Sequence, residues 1–443
     1  MGSKLGIYLP SNYSNLNKGD VIEIKIKKDN KESIFISKYN YNITLRKPAI
    51  NNLNLNKGEV VEIELQKLNQ PIKPKEIFRG DKIDLLALIP EVTSNGYQIF
   101  ASLFTKDNNE WLRVWYCHER GSCNQIEIKK LVSVDSFGRL LGQLQAEGTK
   151  SGKRHRLEFC NKLIDEHIDY IKYLEEMGMT KDNVICKCDF HPKVKDIIEE
   201  KIKEFEEKTN ILIKYKSQNR WMKGDYSFKT HIQNSLLTEI ILGSLDILRK
   251  KLVEDDWEVN MKDLADSFLA KLLTGDGTLD ITSNNRGYDF PIARISITDG
   301  NLDYLKDYAA IIEKLGFNPK VLEKHIRVRS YLPFDKMLYL YKIKAFQNTP
   351  NWKKLILLIN ENLKGRRLNT HLRLLDLDKE ITTSYLVNKY NLSTRAANNW
   401  LNSKEREGFL LRVKDSRPIK WKLTYKAEGL VEILNQVKLE LAL

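Results

Sequence analysis

Two acidic residues stand at matching places in two copies of one short motif. Residues 140–149 read LLGQLQAEGT and residues 269–278 read LAKLLTGDGT, and the two segments align without a gap. In each copy an apolar, helix-like face leads directly to an acid, a glycine and a threonine, so Glu147 corresponds to Asp276. Carboxylates are the side chains that bind hard divalent cations, and such cations can activate water. The motifs therefore predict two related structural units, each with an acid at the end of a helix.

The repetition continues downstream of the motifs. Residues 156–179 match residues 294–317 at an offset of 138, whereas the motifs themselves match at an offset of 129. The extra residues of the second copy fall in the loop-like stretch around residues 284–288, where insertions are well tolerated. The identical pairs are Arg156 and Arg294, Asp165 and Asp303, Asp169 and Asp307, Tyr170 and Tyr308, Glu175 and Glu313, and Gly178 and Gly316.

The same segments predict the elements that position the acids. Strands are expected at residues 156–159 and 294–297, each followed by a helix. These helices end at Gly178 and Gly316, since glycine is common just after the last helical residue. After these helices, a further strand is predicted in each copy, at residues 211–215 in the first and at residues 324–330 in the second.

The paired motifs and this order of elements resemble the LAGLIDADG homing endonuclease family in its single-chain, two-motif form. The resemblance implies an α+β fold, a pseudo-twofold αββαββα repeat pair whose motif helices pack together while two curved antiparallel sheets straddle DNA. Carried over position by position, it makes Glu147 and Asp276 the catalytic, metal-binding acids and adds Gly148 and Gly277 to the metal site, with Mg²⁺ or Mn²⁺ as cofactor. Basic residues on the strands would bind the nucleic acid, and the candidates are Lys216, Lys223, Arg294, Arg327 and Arg329.

The motifs depart from the family pattern at three positions. Lys271 stands where a small residue is expected, so either the helix contact shifts or the lysine side chain extends towards solvent. Gln143 and Gln145 make the first motif unusually polar. Because of these departures, an alternative stays open in which the chain keeps the scaffold and binds DNA without cleaving it. An acid is nevertheless present in both copies.

A second duplication lies near the N-terminus. Residues 16–26 read LNKGDVIEIKI and residues 55–65 read LNKGEVVEIEL, and in each copy a Lys-Gly turn precedes an alternating, strand-like run. Strand-like segments also precede the copies, at residues 7–10 and 43–48. This unit resembles the swapped-hairpin barrel of AbrB-type regulators, and the alternative is a generic small β-barrel that acts as a structural adaptor.

The C-terminal residues resemble a winged helix-turn-helix. Ser393 is predicted to cap a second helix, and strands flank a basic turn at residues 415–418. The alternative is a winged helix used for protein contacts. The residues expected to face DNA are Thr394, Arg395, Asn398 and Asn399 on the helix and Arg417 in the wing.

Composition narrows the class of partner. The chain has 73 Lys and Arg against 59 Asp and Glu, a net charge of +14, so the first partner to consider is a polyanion. No phosphate-binding loop of the G-x-x-x-x-G-K-[ST] type is present, which argues against nucleotide-driven chemistry. No apolar stretch is long enough for a membrane span and no signal peptide is evident, so we expect a soluble, cytoplasmic protein.

The cysteines favour free thiols. There are five, an odd number that does not suggest a disulfide framework. A zinc site is the alternative, but the C-x-C spacing is unusual for structural zinc and the two groups of ligands fall in different predicted modules. Those groups are Cys117, His118 and Cys123 in one and Cys186, Cys188 and His191 in the other.

Together these observations predict a monomeric, metal-dependent endonuclease that makes site-specific double-strand breaks in DNA. One alternative is a regulator that kept the endonuclease scaffold but binds DNA without cleavage. The other is an RNA-processing or maturase protein that binds structured RNA. The predicted domains are residues 1–75 (duplicated hairpins), 76–130 (β-rich connection), 131–250 and 251–370 (the two repeats) and 371–443 (winged helix).

Overall fold

The chain folds as a mixed α and β protein, as predicted, with two compact units, Met1–Phe268 and Leu269–Leu443. The boundary falls within one motif helix. The computed structural model describes residues 6–8, 16–39, 42–45, 47–68, 71–117, 123–148, 156–222, 225–254, 256–257, 260–282, 292–364, 377, 381–414 and 418–442.

The first unit contains the N-terminal β-rich part and the first repeat. Its strands are β1 (Gly6–Tyr8), β2 (Val21–Lys28), β3 (Lys31–Lys38), β4 (Asn42–Thr44), β5 (Glu62–Lys67), β6 (Phe78–Arg79), β7 (Lys82–Asp84), β8 (Ile99–Lys106), β9 (Asn109–Cys117), β10 (Cys123–Lys129), β11 (Leu131–Ser133), β12 (Leu157–Asn161), β13 (Val184–Phe190), β14 (Ile213–Gln218) and β15 (Tyr226–Ile232). Its helices are α1 (Lys47–Leu53), α2 (Leu85–Leu88), α3 (Val134–Glu147), α4 (Ile164–Glu176), α5 (Lys195–Thr209), α6 (Ser235–Val253) and the beginning of α7 (Met261–Asp276).

The duplicated N-terminal segments pair with each other. Strand β2 lies between β3 and β5, and Lys25 is directly opposite Glu64, its counterpart in the other copy. The two copies are therefore related by a local twofold axis, while Ile22, Ile24 and Ile26 are fully buried beneath them. The predicted strand at residues 43–48 is too long, because β4 ends at Thr44 and α1 begins at Lys47.

A three-stranded meander, β8 to β10, joins these hairpins to the first repeat. Arg113 on β9 forms ion pairs with Glu23 on β2 and with Glu127 on β10. Two residues earlier on β9, the ring of Trp111 packs on Gly178, the residue after the C-cap of α4. Residues that precede the first motif in the sequence therefore pack against the first repeat.

The first repeat places helices α4 and α5 on one face of a four-stranded sheet. The strand order is β12-β15-β13-β14, and the buried aromatic residues between the layers include Phe159, Phe205 and Phe228. His167 on α4 is fully buried among them, and its Nδ1 lies 2.8 Å from Oγ1 of Thr230 on β15. The opposite face of the sheet is left open to polar side chains.

The second unit contains the rest of α7, a second four-stranded sheet and the C-terminal module. Its strands are β16 (Gly277–Thr282), β17 (Ile292–Thr298), β18 (Pro319–Leu322), β19 (Arg327–Tyr331), β20 (Leu410–Lys414) and β21 (Lys420–Leu423). Its remaining helices are α8 (Leu302–Lys314), α9 (Phe334–Lys342), α10 (Pro350–Lys364), α11 (Thr383–Tyr390), α12 (Thr394–Arg406) and α13 (Tyr425–Ala442).

Comparison of the two sheets reveals an insertion in the first repeat. The second sheet has the order β16-β17-β19-β18 and is antiparallel throughout. By position in the sheet, β12, β15 and β13 correspond to β17, β19 and β18, so α5 and β14 are additional elements. Pairing residues 211–215 with residues 324–330 was therefore wrong, because β14 is an added edge strand that runs parallel to β13.

The C-terminal module has its own core. Ile381, Leu386, Leu401 and Trp421 are buried together, and they join α11, α12 and the β20–β21 pair. The predicted cap of the second helix is confirmed, since Oγ of Ser393 accepts a hydrogen bond from the Ala396 amide at 3.1 Å.

Substitution of Gly178 should cost more stability than substitution of Gly96. Both have a positive φ, +98° and +80°, so alanine is strained by about 1 kcal/mol at each. An added Cβ at Gly178 would also lie 2.5 Å from the Trp111 ring, whereas Gly96 has open space around it. We expect Gly178→Ala to lose about 1–3 kcal/mol more than Gly96→Ala in urea unfolding. Equal losses would show that the contact with Trp111 adds nothing.

Candidate nucleic-acid interface

The two motif acids occupy the same local position. Glu147 is the last residue of α3 in the first unit, and Asp276 is the last residue of α7 in the second. Both side chains are only partly exposed. The next residue pairs with a strand in both copies, since Gly148 forms an isolated bridge to Phe159 and Gly277 begins β16.

The glycine after each acid is required by space. A Cβ on Gly148 would overlap the carbonyl oxygen of Leu144, and a Cβ on Gly277 would overlap that of Leu273. At Gly148 φ is −83°, which any residue adopts, so crowding by the last helical turn excludes other side chains. The glycine therefore has the same role in both copies, because it lets the backbone pass close to the last turn of the motif helix.

The motif helices approach closely where their residues are small. On α3, a Cβ added to Gly138 would lie 2.9 Å from Cβ of Ser267 and 3.2 Å from the carbonyl oxygen of Leu264, both on α7. The Ser267 hydroxyl donates to Asp135 on α3 at 2.6 Å. Contact through small residues, implied by the family resemblance, is present at this point.

The polar residues of the first motif are buried. Gln143 is 2% exposed, and its Nε2 donates to the backbone oxygen of Glu166 at 2.8 Å and to its carboxylate at 3.1 Å. Gln145 is 1% exposed and accepts a bond from Arg249 on α6 at 3.4 Å. These glutamines therefore tie α3 to α4 and α6. Lys271 on α7 is 4% exposed, so of the two alternatives at this position the extension of its side chain towards solvent does not hold.

The second sheet brings three predicted arginines onto one face. In the pairing of β17 with β19, Arg294 lies opposite Tyr331 and Arg329 lies opposite Ser296, while Arg327 is two residues from Arg329 on the same side. Ile295, Ile297 and Val328 alternate with them and are buried on the other face. The period-two pattern of the strands thus separates an apolar face from a basic one.

This basic face has little internal compensation. Among the described residues, Arg294, Arg327 and Arg329 form no ion pair, and Nε of Arg327 and of Arg329 is buried without a hydrogen-bond partner. Asp280 on β16 is opposite Arg294 and supplies the nearest carboxylate in the register. Three uncompensated guanidinium groups favour binding of a polyanion.

The first sheet departs from the prediction at its edge strand. Lys216 pairs in register with buried Cys188 and forms an ion pair of 2.7 Å with Glu199 on α5, so it lies on the helix side of the sheet. Lys223 lies outside the described residues. The open face carries Lys187 and Lys214 instead, with their Nζ atoms 5.4 and 5.5 Å from the ring centre of Tyr215.

These two lysines were missed by the sequence analysis, although one of them has a local signal. Residues 184–190 read VICKCDF and alternate between buried and partly exposed, a strand pattern that puts Lys187 outside. Lys214 had no such signal, because the register of β13 with β14 shifts between Cys186 and Lys187. A shift of one residue moves side chains to the other face.

The C-terminal module exposes the residues predicted to bind DNA. Thr394, Arg395, Asn398 and Asn399 on α12 are all exposed, although Oδ1 of Asn398 accepts a hydrogen bond of 2.7 Å from Thr383 on α11. Arg417 lies outside the described residues.

The structure describes only one of the two groups of alternative zinc ligands, because His118 and the side chains of Cys117 and Cys123 lie outside the described residues. Cys186 and Cys188 are buried and free, and burial raises their pKa to about 11 and about 12. Nδ1 of His191 accepts the Lys193 amide at 3.1 Å. Within the described part of the chain, no cluster of three or more His, Cys, Asp or Glu is arranged to hold a metal, and no described helix is long and apolar enough to cross a membrane.

Solved structures offer distant likenesses. The I-SmaMI LAGLIDADG homing endonuclease bound to cleaved DNA is 12% identical over 54% of this chain and 94% of its own, with a TM-score of 0.30. The I-LtrWI LAGLIDADG homing endonuclease bound to target DNA is 12% identical over 54% and 93%, with a TM-score of 0.28. No family model and no curated protein matches the chain. Because the TM-scores are this low, we infer function from the chain's own residues.

Alkylation should distinguish buried thiols from metal ligands. We expect iodoacetamide at pH 8 to modify Cys186 and Cys188 at least about tenfold more slowly in the folded protein than in urea, because the raised pKa values leave little thiolate. Peptide mass spectrometry measures each cysteine separately. Protection that EDTA removes would instead indicate a bound metal.

Proposed function

We propose that the chain is a LAGLIDADG-type, divalent-metal-dependent endonuclease that makes site-specific double-strand breaks in DNA. The observation that carries the proposal is the repeated acid-glycine pair at the end of each motif helix, in repeats whose sheets each carry a basic open face. An acid in only one copy would leave one strand of a duplex without its metal ligand.

In this proposal Glu147 and Asp276 hold Mg²⁺ or Mn²⁺, with Gly148 and Gly277 beside them. Their carboxylate oxygens suit a hard cation, and both side chains are partly open to solvent. The bound cation would lower the pKa of water and stabilise the leaving oxygen at a scissile phosphate. The protein positions the two carboxylates, because each acid is the last residue of a packed helix.

The basic faces would hold the DNA backbone. Arg294, Arg327 and Arg329 serve the second repeat, and Lys187 and Lys214 replace Lys216 in the first. Phosphate contacts orient a protein on the duplex but do not by themselves read its sequence. We therefore assign base recognition to other polar residues of the sheets and to Thr394, Arg395, Asn398 and Asn399.

A regulator without cleavage is the second candidate. The C-terminal residues form a folded module whose second helix exposes four polar residues, and this is more DNA-binding surface than a minimal endonuclease requires. A monomer with the predicted domains at residues 1–75, 76–130, 131–250, 251–370 and 371–443 fits both candidates.

Cleavage should depend on both acids. We expect the purified protein with Mg²⁺ or Mn²⁺ to produce discrete double-strand ends in source-genome DNA, detected by sequencing. Glu147→Gln and Asp276→Asn should each lower the cleavage rate by roughly 100-fold or more, because a carboxamide is a poor ligand for a hard cation. Asp263→Asn, at the exposed opposite end of α7, is the control and should cleave normally.

Each outcome selects one function. Undiminished cleavage by the Glu147→Gln/Asp276→Asn double variant would reject the acid assignment. Protein-bound DNA fragments from defined loci without cleavage would favour the regulator, and selective binding of structured RNA would favour the RNA-processing alternative.

Loss of one arginine from the basic face should weaken DNA binding in a salt-dependent manner. Arg329→Gln removes one uncompensated cation, so the slope of log affinity against log salt should become shallower by about 0.9 if it contacts one phosphate. Lys306→Gln on α8, across the buried layer from this face, should leave the slope unchanged. Fluorescence anisotropy with a labelled duplex in EDTA measures both, and equal slopes would exclude a phosphate contact by Arg329.

A further inference from the structure

The elements inserted in the first repeat build a pocket on its open face. Helix α5 and strand β14 have no counterpart in the second repeat, where β18 connects to β19 through Glu323–His325. The added strand brings Lys214 and Tyr215 beside Lys187, His231 and Arg156. Together these five side chains line a depression of about 540 Å³, which we call the β14 pocket.

The β14 pocket gathers positive charge without matching negative charge. Lys187 and Lys214 both lie against the ring of Tyr215, and neither forms an ion pair among the described residues. Arg156 is 3.1 Å from the carboxylate of Glu158, the one acid beside the pocket on β12. Three cations and one carboxylate leave an excess of two positive charges, and a singly charged anion would offset one of them.

His231 adds an unsatisfied polar atom to the same pocket. The side chain is 3% exposed, and its Nδ1 is buried without a hydrogen-bond partner, which is costly unless a ligand supplies one. Burial, followed by the charge of Lys187 and then of Arg156 and Lys214, lowers its pKa to about 4, although Glu158 acts in the opposite direction. Two further charged residues on this face, Lys229 and Asp189, pair with each other at 2.7 Å.

We propose that the β14 pocket binds one backbone phosphate of duplex DNA, with Lys187 and Lys214 neutralising it and Nδ1 of His231 donating a hydrogen bond to it. The proposal rests on the proposed function, because it takes the open face of this sheet as the surface that contacts DNA. It adds a contact that the second repeat lacks, so the two halves of a DNA site would be held unequally.

Binding to this pocket should be linked to protonation of His231. A phosphate would offset the charge of Arg156, Lys187 and Lys214 and would accept a hydrogen bond from the Nδ1–H group, so the imidazolium form becomes more favourable in the complex. The pKa of His231 then rises on binding, and affinity increases as the pH falls. Because the pKa of His231 in the free protein is about 4, a rise on binding should make the affinity severalfold higher at pH 5 than at pH 8.

The test measures duplex binding in EDTA, so that it is independent of cleavage. A labelled 40-base-pair DNA of arbitrary sequence is titrated by anisotropy at several salt concentrations. The Lys187→Gln/Lys214→Gln variant should have a slope of log affinity against log salt that is shallower by about 0.9. Lys216→Gln is the matched control, since Lys216 is on the same strand but pairs with Glu199 on the helix side. His231→Gln should lose the increase in affinity at low pH.

The outcomes separate this proposal from the proposed function. An unchanged slope in the double variant, or an equal change in Lys216→Gln, overturns the pocket but leaves DNA binding intact. A wild-type protein without salt-dependent DNA binding overturns both, and an effect seen only with duplex RNA overturns the DNA assignment. A phosphate-buffer titration that suppresses the slope difference at millimolar concentration would assign the pocket to free phosphate. Thermal unfolding of each variant confirms its folding, and the lysine variants decide the case if His231→Gln is unstable.

Discussion

Burial of one face of each sheet decides which residues remain available on the other. Strand residues alternate, so packing Phe159 and Phe228 in the first sheet, or Ile295 and Val328 in the second, against helices leaves their neighbours on the open face. The apolar layer stabilises the fold, and the cations that share those strands gather opposite it. The candidate interface is therefore a consequence of how the core is packed.

The motif helices add a second constraint, because they combine close approach with buried polar groups. Gly138 allows α3 to contact Ser267, and the buried Gln143 donates a hydrogen bond to Glu166. Oε1 of Gln143 and Nε2 of Gln145 are buried without a partner, and each such unsatisfied group costs about 1–3 kcal/mol, so the bond to Glu166 offsets only part of the cost of burying these amides. The bonds from Gln143 to Glu166 hold α3, which ends at Glu147, against α4.

The insertion in the first repeat makes the duplicated units unequal. In the second repeat β18 and β19 are joined directly by the short turn at Glu323–His325, without an inserted helix or strand. The open face of this sheet carries the arginines. In the first, α5 and β14 widen the sheet and create the pocket around His231. The two repeats therefore share a similar sheet, and the added strand β14 gives the first sheet a pocket on its open face that the second repeat lacks.

Features that depend on local spacing could be predicted from the sequence. These include the duplicated motifs, the α+β class, the helices that stop just before Gly178 and Gly316, the cap at Ser393 and the arginines that alternate along β19. Which distant residues meet depends on the tertiary structure. Lys187, Lys214 and His231 come from three strands, and the shifted register of β14 turns Lys216 away from them. Strand pairing is non-local, and a shift of one residue reverses the face, so no local pattern could have fixed this site.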